Sequence, residues 1–131
     1  MGLFKTLLGK GNDKPKKEEK VLPWIPLTSL EQLDEIEKRS AVKTQFIFKH
    51  STSCGISSMV IKMFSDRYSF SQEEADLYYL DLHKYREVSN ETGYKFQVMH
   101  QSPQLLIIRN GSTVAHESHG AIMEVDLGKH I

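Results

Sequence analysis

At 131 residues, with 39% of them apolar, the chain has room for one domain with an ordinary core and no need of disulfide staples. Lysine plus arginine, 17, balance aspartate plus glutamate, 17, so the overall charge calls for neither a nucleic-acid groove nor a strongly acidic partner. A single cysteine, Cys54, excludes an internal disulfide, a zinc site built from cysteines alone or from a paired-cysteine motif, and any intramolecular dithiol mechanism.

Residues 1–20 are rich in lysine and glycine, and Lys14-Pro15-Lys16-Lys17-Glu18-Glu19-Lys20 is a charged run with nothing to bury, which predicts a flexible arm. Two other readings stand beside it. Leu3, Phe4, Leu7 and Leu8 would form one apolar face of a short helix against a membrane or partner, and Gly2 with Thr6 fits a myristoylation pattern. No cleavable apolar signal and no apolar run of about 18 residues is visible, so stable membrane insertion is not expected and the expected compartment is the cytosol.

The domain is expected over residues 21–131. Leu22-Pro23-Trp24-Ile25-Pro26-Leu27 is held extended by two prolines. Thr28 and Glu31 fit a capping box, and Leu30, Leu33 and Ile36 recur at helical spacing to about Arg39. Gln45-Phe46-Ile47-Phe48 is too short for a helix and reads as a buried central strand. The small-residue loop 51–58 then leads into Met59, Val60, Met63 and Phe64, an apolar stripe on a helix ending near Tyr68. Residues 77–82 read as a strand, and 84–92 as a short helix stopped by Gly93. Residues 104–109 and 113–117 flank Asn110-Gly111, a hairpin signal because both turn residues tolerate positive φ. A weaker last helix is expected over 121–131, with Ile122, Met123, Val125 and Leu127 as its apolar positions.

A strand, a crossover helix, a parallel strand, another helix, an antiparallel hairpin and a closing helix make an α/β domain: a mixed sheet of four or five strands covered on both faces. This order resembles the thioredoxin-like arrangement, and the resemblance implies a redox site in the loop after the first core strand, where Cys54 lies. Unpaired N–H groups and the positive end of the helix dipole there favour a thiolate. Ser57, three residues on, has the spacing of the second cysteine of a CxxC motif and offers its hydroxyl or N–H, with Gly55 and Ile56 in the same first turn. The competing reading is a buried, inert cysteine packed as a small apolar group. Lacking a resolving thiol, a reactive Cys54 would form a mixed disulfide that only a second, small thiol could release.

From His50 to Ser58, and again at Ser102-Pro103, the sequence resembles the YtxJ family of monothiol bacilliredoxins, bacterial thioredoxin-fold proteins that use bacillithiol in place of glutathione. Its usual motif is T-C-P-I-S, and this chain has Ser53-Cys54-Gly55-Ile56-Ser57, matching at the cysteine, isoleucine and serine. Glycine in place of proline would loosen the loop. The resemblance implies that Cys54 removes bacillithiol, a co-substrate, from the mixed disulfides of S-bacillithiolated client proteins. It also implies a cis bond before Pro103, bringing the Ser102 backbone beside Cys54, the alternative being an ordinary trans turn proline. Gly120 would leave room for substrate or be a plain turn glycine. His50, His100 and His119 would meet the malate carboxylates of bacillithiol or be solvated loop residues, and Lys49 would place a charge near Cys54 or point to solvent. Only His116 and His119 stand close enough to suggest metal ligands, and a metal site is not expected from them. Two other functional classes stay open: a non-catalytic interaction module, and a thiol peroxidase in which Cys54 becomes a sulfenic acid.

Overall fold

A computed structural model describes residues 21–131; the arm expected at 1–20, with its apolar-face and myristoylation alternatives, lies outside the described residues. The chain runs β1 (Trp24–Pro26), α1 (Leu30–Arg39), β2 (Thr44–His50), α2 (Gly55–Arg67), β3 (Ala75–Asp81), α3 (Arg86–Phe96), β4 (Gln104–Arg109) and β5 (Ser112–Ser118). Two short 3₁₀ helices follow, His119–Glu124 and Leu127–His130. The five strands form one sheet in the order β1-β3-β2-β4-β5. β1, β3 and β2 are parallel, while β4 runs antiparallel to β2 and β5 antiparallel to β4.

β2 is the centre, and all seven of its residues are buried because the sheet flanks it on both edges and helices cover both faces. Ile47 packs with Leu33 and Ile36 of α1, Val88 and Phe96 of α3, and Leu106. Phe46 and Phe48 face the other way, into an aromatic layer with Val60, Phe64 and Tyr68, joined by Leu105, Ile107 and Ile122. Trp24 of β1 meets this layer edge-on at Phe48, with 6.2 Å between ring centroids. Alternation along one strand thus supplies both cores.

Several sequence expectations shift in the structure. The first helix is capped by Ser29 with Gln32, not by Thr28 with Glu31: Gln32 Oε1 accepts the N–H groups of both Thr28 and Ser29, at 2.7 and 3.1 Å. The extended segment before it joins the sheet as β1, giving five strands. β3 begins two residues earlier than expected, because parallel pairing with β2 extends back to Ala75. Gly93 does not stop α3 but lies within it, where a Cβ would stand 2.9 Å from the Val98 carbonyl oxygen; the stop is Gln97, in the left-handed region at φ 57°. Met59 and Met63 are 57% and 45% exposed, and only Val60 and Phe64 of the expected stripe reach the core. The last helix is replaced by the two 3₁₀ pieces, held by bonds to the third residue back such as Val125 N–H to Ile122 C=O, with Gly120 and Gly128 discouraging a longer α-helix.

The hairpin between β4 and β5 turns at Asn110 and Gly111, both at positive φ (54° and 81°), as expected of a two-residue turn whose twist matches its strands. Among the described residues no helix is long and apolar enough to cross a membrane.

Candidate active site around Cys54

Cys54 is the N-cap of α2, with extended dihedrals (φ −110°, ψ 123°), and its carbonyl accepts the first helical bond from the Ser58 N–H at 3.1 Å. Its own N–H donates to the Ser51 carbonyl at 3.2 Å, so a tight turn separates the end of β2 from the helix. The thiol is half-buried and no side chain caps the helix end. Gly55, Ile56 and Ser57 are therefore the first three helical residues, whose N–H groups have no carbonyl one turn back to bond. Gly55 occupies the first helical position, where proline fits because its missing N–H would be unused, and a Cβ at Gly55 would meet nothing within 4 Å.

Sheet register brings distant segments to this end of the molecule. Gln104, the first residue of β4, lies opposite both Lys49 of β2 and Ser118 of β5, so Ser102-Pro103 and His119-Gly120 sit at the same sheet end as the loop after His50. The Ser102–Pro103 bond is cis, and the Pro103 carbonyl accepts the His119 N–H at 2.9 Å. The Ser102 hydroxyl is buried without a partner among the described residues. Gly120 is exposed, and a Cβ there would likewise meet nothing within 4 Å. His116 sits mid-strand in β5 opposite Leu106, away from this end. Among the described residues no three histidine, cysteine, aspartate or glutamate side chains gather as a metal site.

Ser57 is fully buried and its hydroxyl is held from two sides, 2.8 Å from His50 Nδ1 and 3.1 Å from the Ser51 N–H that donates to it. His50 is turned inward, its ring 5.5 Å from that of Tyr79, rather than solvated on a loop. Burial lowers its pKa and the nearby Asp81 carboxylate opposes that in part, so the imidazole is neutral at pH 7. Replacing Ser57 by alanine strands a buried N–H and a buried ring nitrogen, and an unfolding free energy lower by about 1–3 kcal/mol is expected. A shift in the urea midpoint with an unchanged slope checks this, and a midpoint that does not move refutes it.

Lys49 reaches neither Cys54's helix nor solvent. It is 1% exposed, on the α1–α3 side of β2, and its Nζ lies 2.8 Å from His100 Nδ1. Burial pulls its pKa down from 10.5 to about 8, and the His100 pKa is lowered by burial and then by the charges of Lys49 and Arg86. Two groups that sequence reasoning missed adjoin the loop. His83 Nε2 lies 3.1 Å from Ser51 Oγ, and Arg86 reaches His83 Nδ1 at 3.4 Å. Ser51 Oγ in turn lies 3.3 Å from Ser53 Oγ, one residue before Cys54. The available signal was topological: parallel neighbours β2 and β3 end at the same level, with His50 opposite Asp81, so the residues that follow each strand are bound to meet.

The thiol lies at a strand-to-helix junction, at the sheet end that also carries the cis Ser102–Pro103 bond. A sequence profile of the family described as monothiol bacilliredoxin BrxC matches residues 25–127. The chain is similar to a solved structure described as a candidate oxidoreductase with a thioredoxin fold, at 30% identity and a TM-score of 0.70, covering 82% of this chain and 93% of that one. It shares the fold of a thioredoxin from Malassezia sympodialis, at 15% identity and a TM-score of 0.65, covering 87% and 98% of the two chains. A thioredoxin pre-protein from Schistosoma mansoni is likewise similar in fold, at 20% identity and a TM-score of 0.62, covering 84% and 100%. The chain thus belongs to the monothiol bacilliredoxin family of thioredoxin-fold thiol redox proteins, and it has a single cysteine.

Proposed function

We propose that this protein removes bacillithiol from S-bacillithiolated client proteins in the bacterial cytosol, acting through Cys54 as its nucleophile. The observation that carries the reading is the position of that one thiol: half-buried, at the N-cap of α2, at the sheet end where the loop after β2 and the cis-proline segment before β4 come together. Cys54, as thiolate, attacks the bacillithiol sulfur of the client's mixed disulfide. A bond forms between Cys54 and bacillithiol, the client's disulfide bond breaks, and the client's sulfur leaves as a thiolate that takes up a proton. A second bacillithiol thiolate attacks the new disulfide, giving oxidised bacillithiol and free Cys54, so the protein ends the cycle unchanged.

The N–H groups of Gly55, Ile56 and Ser57 supply the electropositive helix end that favours negative charge on sulfur, while Ser57 acts through His50 and Ser51 to hold the first turn against β2. The backbone at Ser102 and Pro103 would line the substrate's disulfide, with Ser53 and Gly120 at the rim. Exposed Ile56 and Met59, on the turn after Cys54, offer apolar surface to a client.

The test is intact-mass spectrometry of the protein mixed with a model protein carrying a bacillithiol mixed disulfide and, separately, a glutathione one. The bacillithiol mass is expected to move to this protein at least tenfold faster than the glutathione mass. Equal rates overturn the preference for bacillithiol; no adduct from either, with the protein folded, overturns the exchange reaction and leaves the interaction-module reading.

A further inference from the structure

The two ends of the sheet treat charge in opposite ways. At the far end the buried carboxylate of Asp76 is matched by Lys43 at 3.0 Å, Arg39 at 3.5 Å and the Gln45 amide at 2.8 Å. At the end that bears Cys54 several basic side chains lie close together without such a match. Lys49, His83, Arg86 and His100 have no carboxylate within ion-pair distance among the described residues. Lys49 is a buried ammonium whose polar neighbour is a histidine, an arrangement that costs folding free energy without a counter-charge. Gln104, beside Lys49 across the sheet, has a buried carbonyl oxygen with no hydrogen-bond partner among the described residues. The nearest acidic groups along the chain are otherwise disposed. Asp81 accepts the Lys84 N–H and acts on His50 on the other sheet face, and Glu87 lies exposed in the first turn of α3.

These basic side chains are continuous with the nucleophile's loop: Lys49 meets His100, Arg86 lies near enough to influence His100 and contacts His83, His83 contacts Ser51, and Ser51 contacts Ser53. His83, Arg86, His100 and Ser53 are exposed, so this cluster beside the nucleophile's loop is open to a ligand and has no carboxylate partner among the described residues. We propose that Arg86, His83 and His100, backed by buried Lys49 and joined to Cys54 through Ser51 and Ser53, form an anion-binding subsite for the carboxylates of the small thiol transferred to Cys54. This rests on the thiol-exchange reading above and adds the part of the molecule that recognises the thiol's charge. Arg86 presents a forked donor suited to a carboxylate, and the histidine and serine side chains add hydrogen-bonding groups around it.

The experiment compares one model protein carrying either a bacillithiol mixed disulfide or a 2-mercaptoethanol one, which has no charge. Transfer to the wild type and to Arg86→Gln is followed by intact mass. Arg86→Gln is expected to slow bacillithiol transfer about tenfold and to change mercaptoethanol transfer by less than about twofold, a span that one charged hydrogen bond supplies. Lys49→Met should move the two rates in the same unequal way. Equal slowing in both arms shows that the cluster acts on the client or on Cys54 in general, and unchanged rates in both show that it binds nothing; either overturns the subsite while exchange itself stands. If the wild type accepts neither thiol, the exchange reading fails and takes the subsite with it.

Discussion

A Cys54→Ser protein is expected to lose thiol transfer by at least about a thousandfold, because a serine hydroxyl at neutral pH is not ionised and does not attack a disulfide sulfur. The same substitution is expected to make the protein more stable, not less. Cys54 stands at the N-cap of α2, where no side chain now bonds the helix end, and serine is among the best residues there. Its hydroxyl accepts the N–H of Ile56 or Ser57, and a gain of about 0.5–1 kcal/mol follows from typical capping energies. Intact mass gives the first result and urea unfolding the second. Residual transfer at a tenth of the wild-type rate removes Cys54 as the nucleophile; a lower unfolding midpoint removes the capping argument.

The second large effect is expected at Lys49. At neutral pH the folded protein holds a protonated amine with 1% exposure and no carboxylate partner among the described residues, whereas in the unfolded chain that amine is fully hydrated. The drop of its pKa from 10.5 to about 8 corresponds to an upper figure of roughly 3.5 kcal/mol at about 1.4 kcal/mol per pH unit. Lys49→Met removes that cost and the His100 hydrogen bond together, so a net gain of about 1–2 kcal/mol at pH 7 is expected. Between pH 8 and 10.5 the unfolded wild type binds this proton more tightly than the folded, so wild-type stability rises with pH and the variant's advantage shrinks across that window. Denaturant midpoints of both proteins at pH 7 and pH 10 test this. A variant less stable at pH 7, or an advantage that does not change with pH, contradicts the assignment. The gain in stability would come with weaker recognition of an anionic thiol, a trade common at functional sites.

The place of Cys54 between a strand and a helix was legible in the sequence because its signal is local: a short β-branched and aromatic run, a small-residue loop and a helical pattern follow one another within about twenty residues. The Asn110-Gly111 turn and the cis-proline segment were legible for the same reason, the latter only with the family resemblance. Gly93 misled because a glycine that ends a helix and one that admits a neighbouring carbonyl look alike in sequence; here the Val98 carbonyl decides. Periodicity placed Met59 and Met63 with Val60 and Phe64 on one stripe, but the buried face follows Ser57, Val60 and Phe64, and the methionines stand about 100° round the helix from it. The cluster around Lys49 was the least legible part. Lys49 is separated from His100 by 51 residues, and strand pairing and the return of the chain after α3 bring them together.

β1, read first as a merely extended segment, has a consequence for the outer rim of the sheet. It spans three residues, its inner side is paired with β3, and Pro26, with Pro23 just before it, carries a ring where an amide hydrogen would be. A foreign chain laid along that rim would find a ledge about 10 Å long with a donor missing from its ladder. Growth by strand addition on that side is hindered by the covalent chemistry of the pyrrolidine ring, and that obstacle remains at any ionic strength or pH.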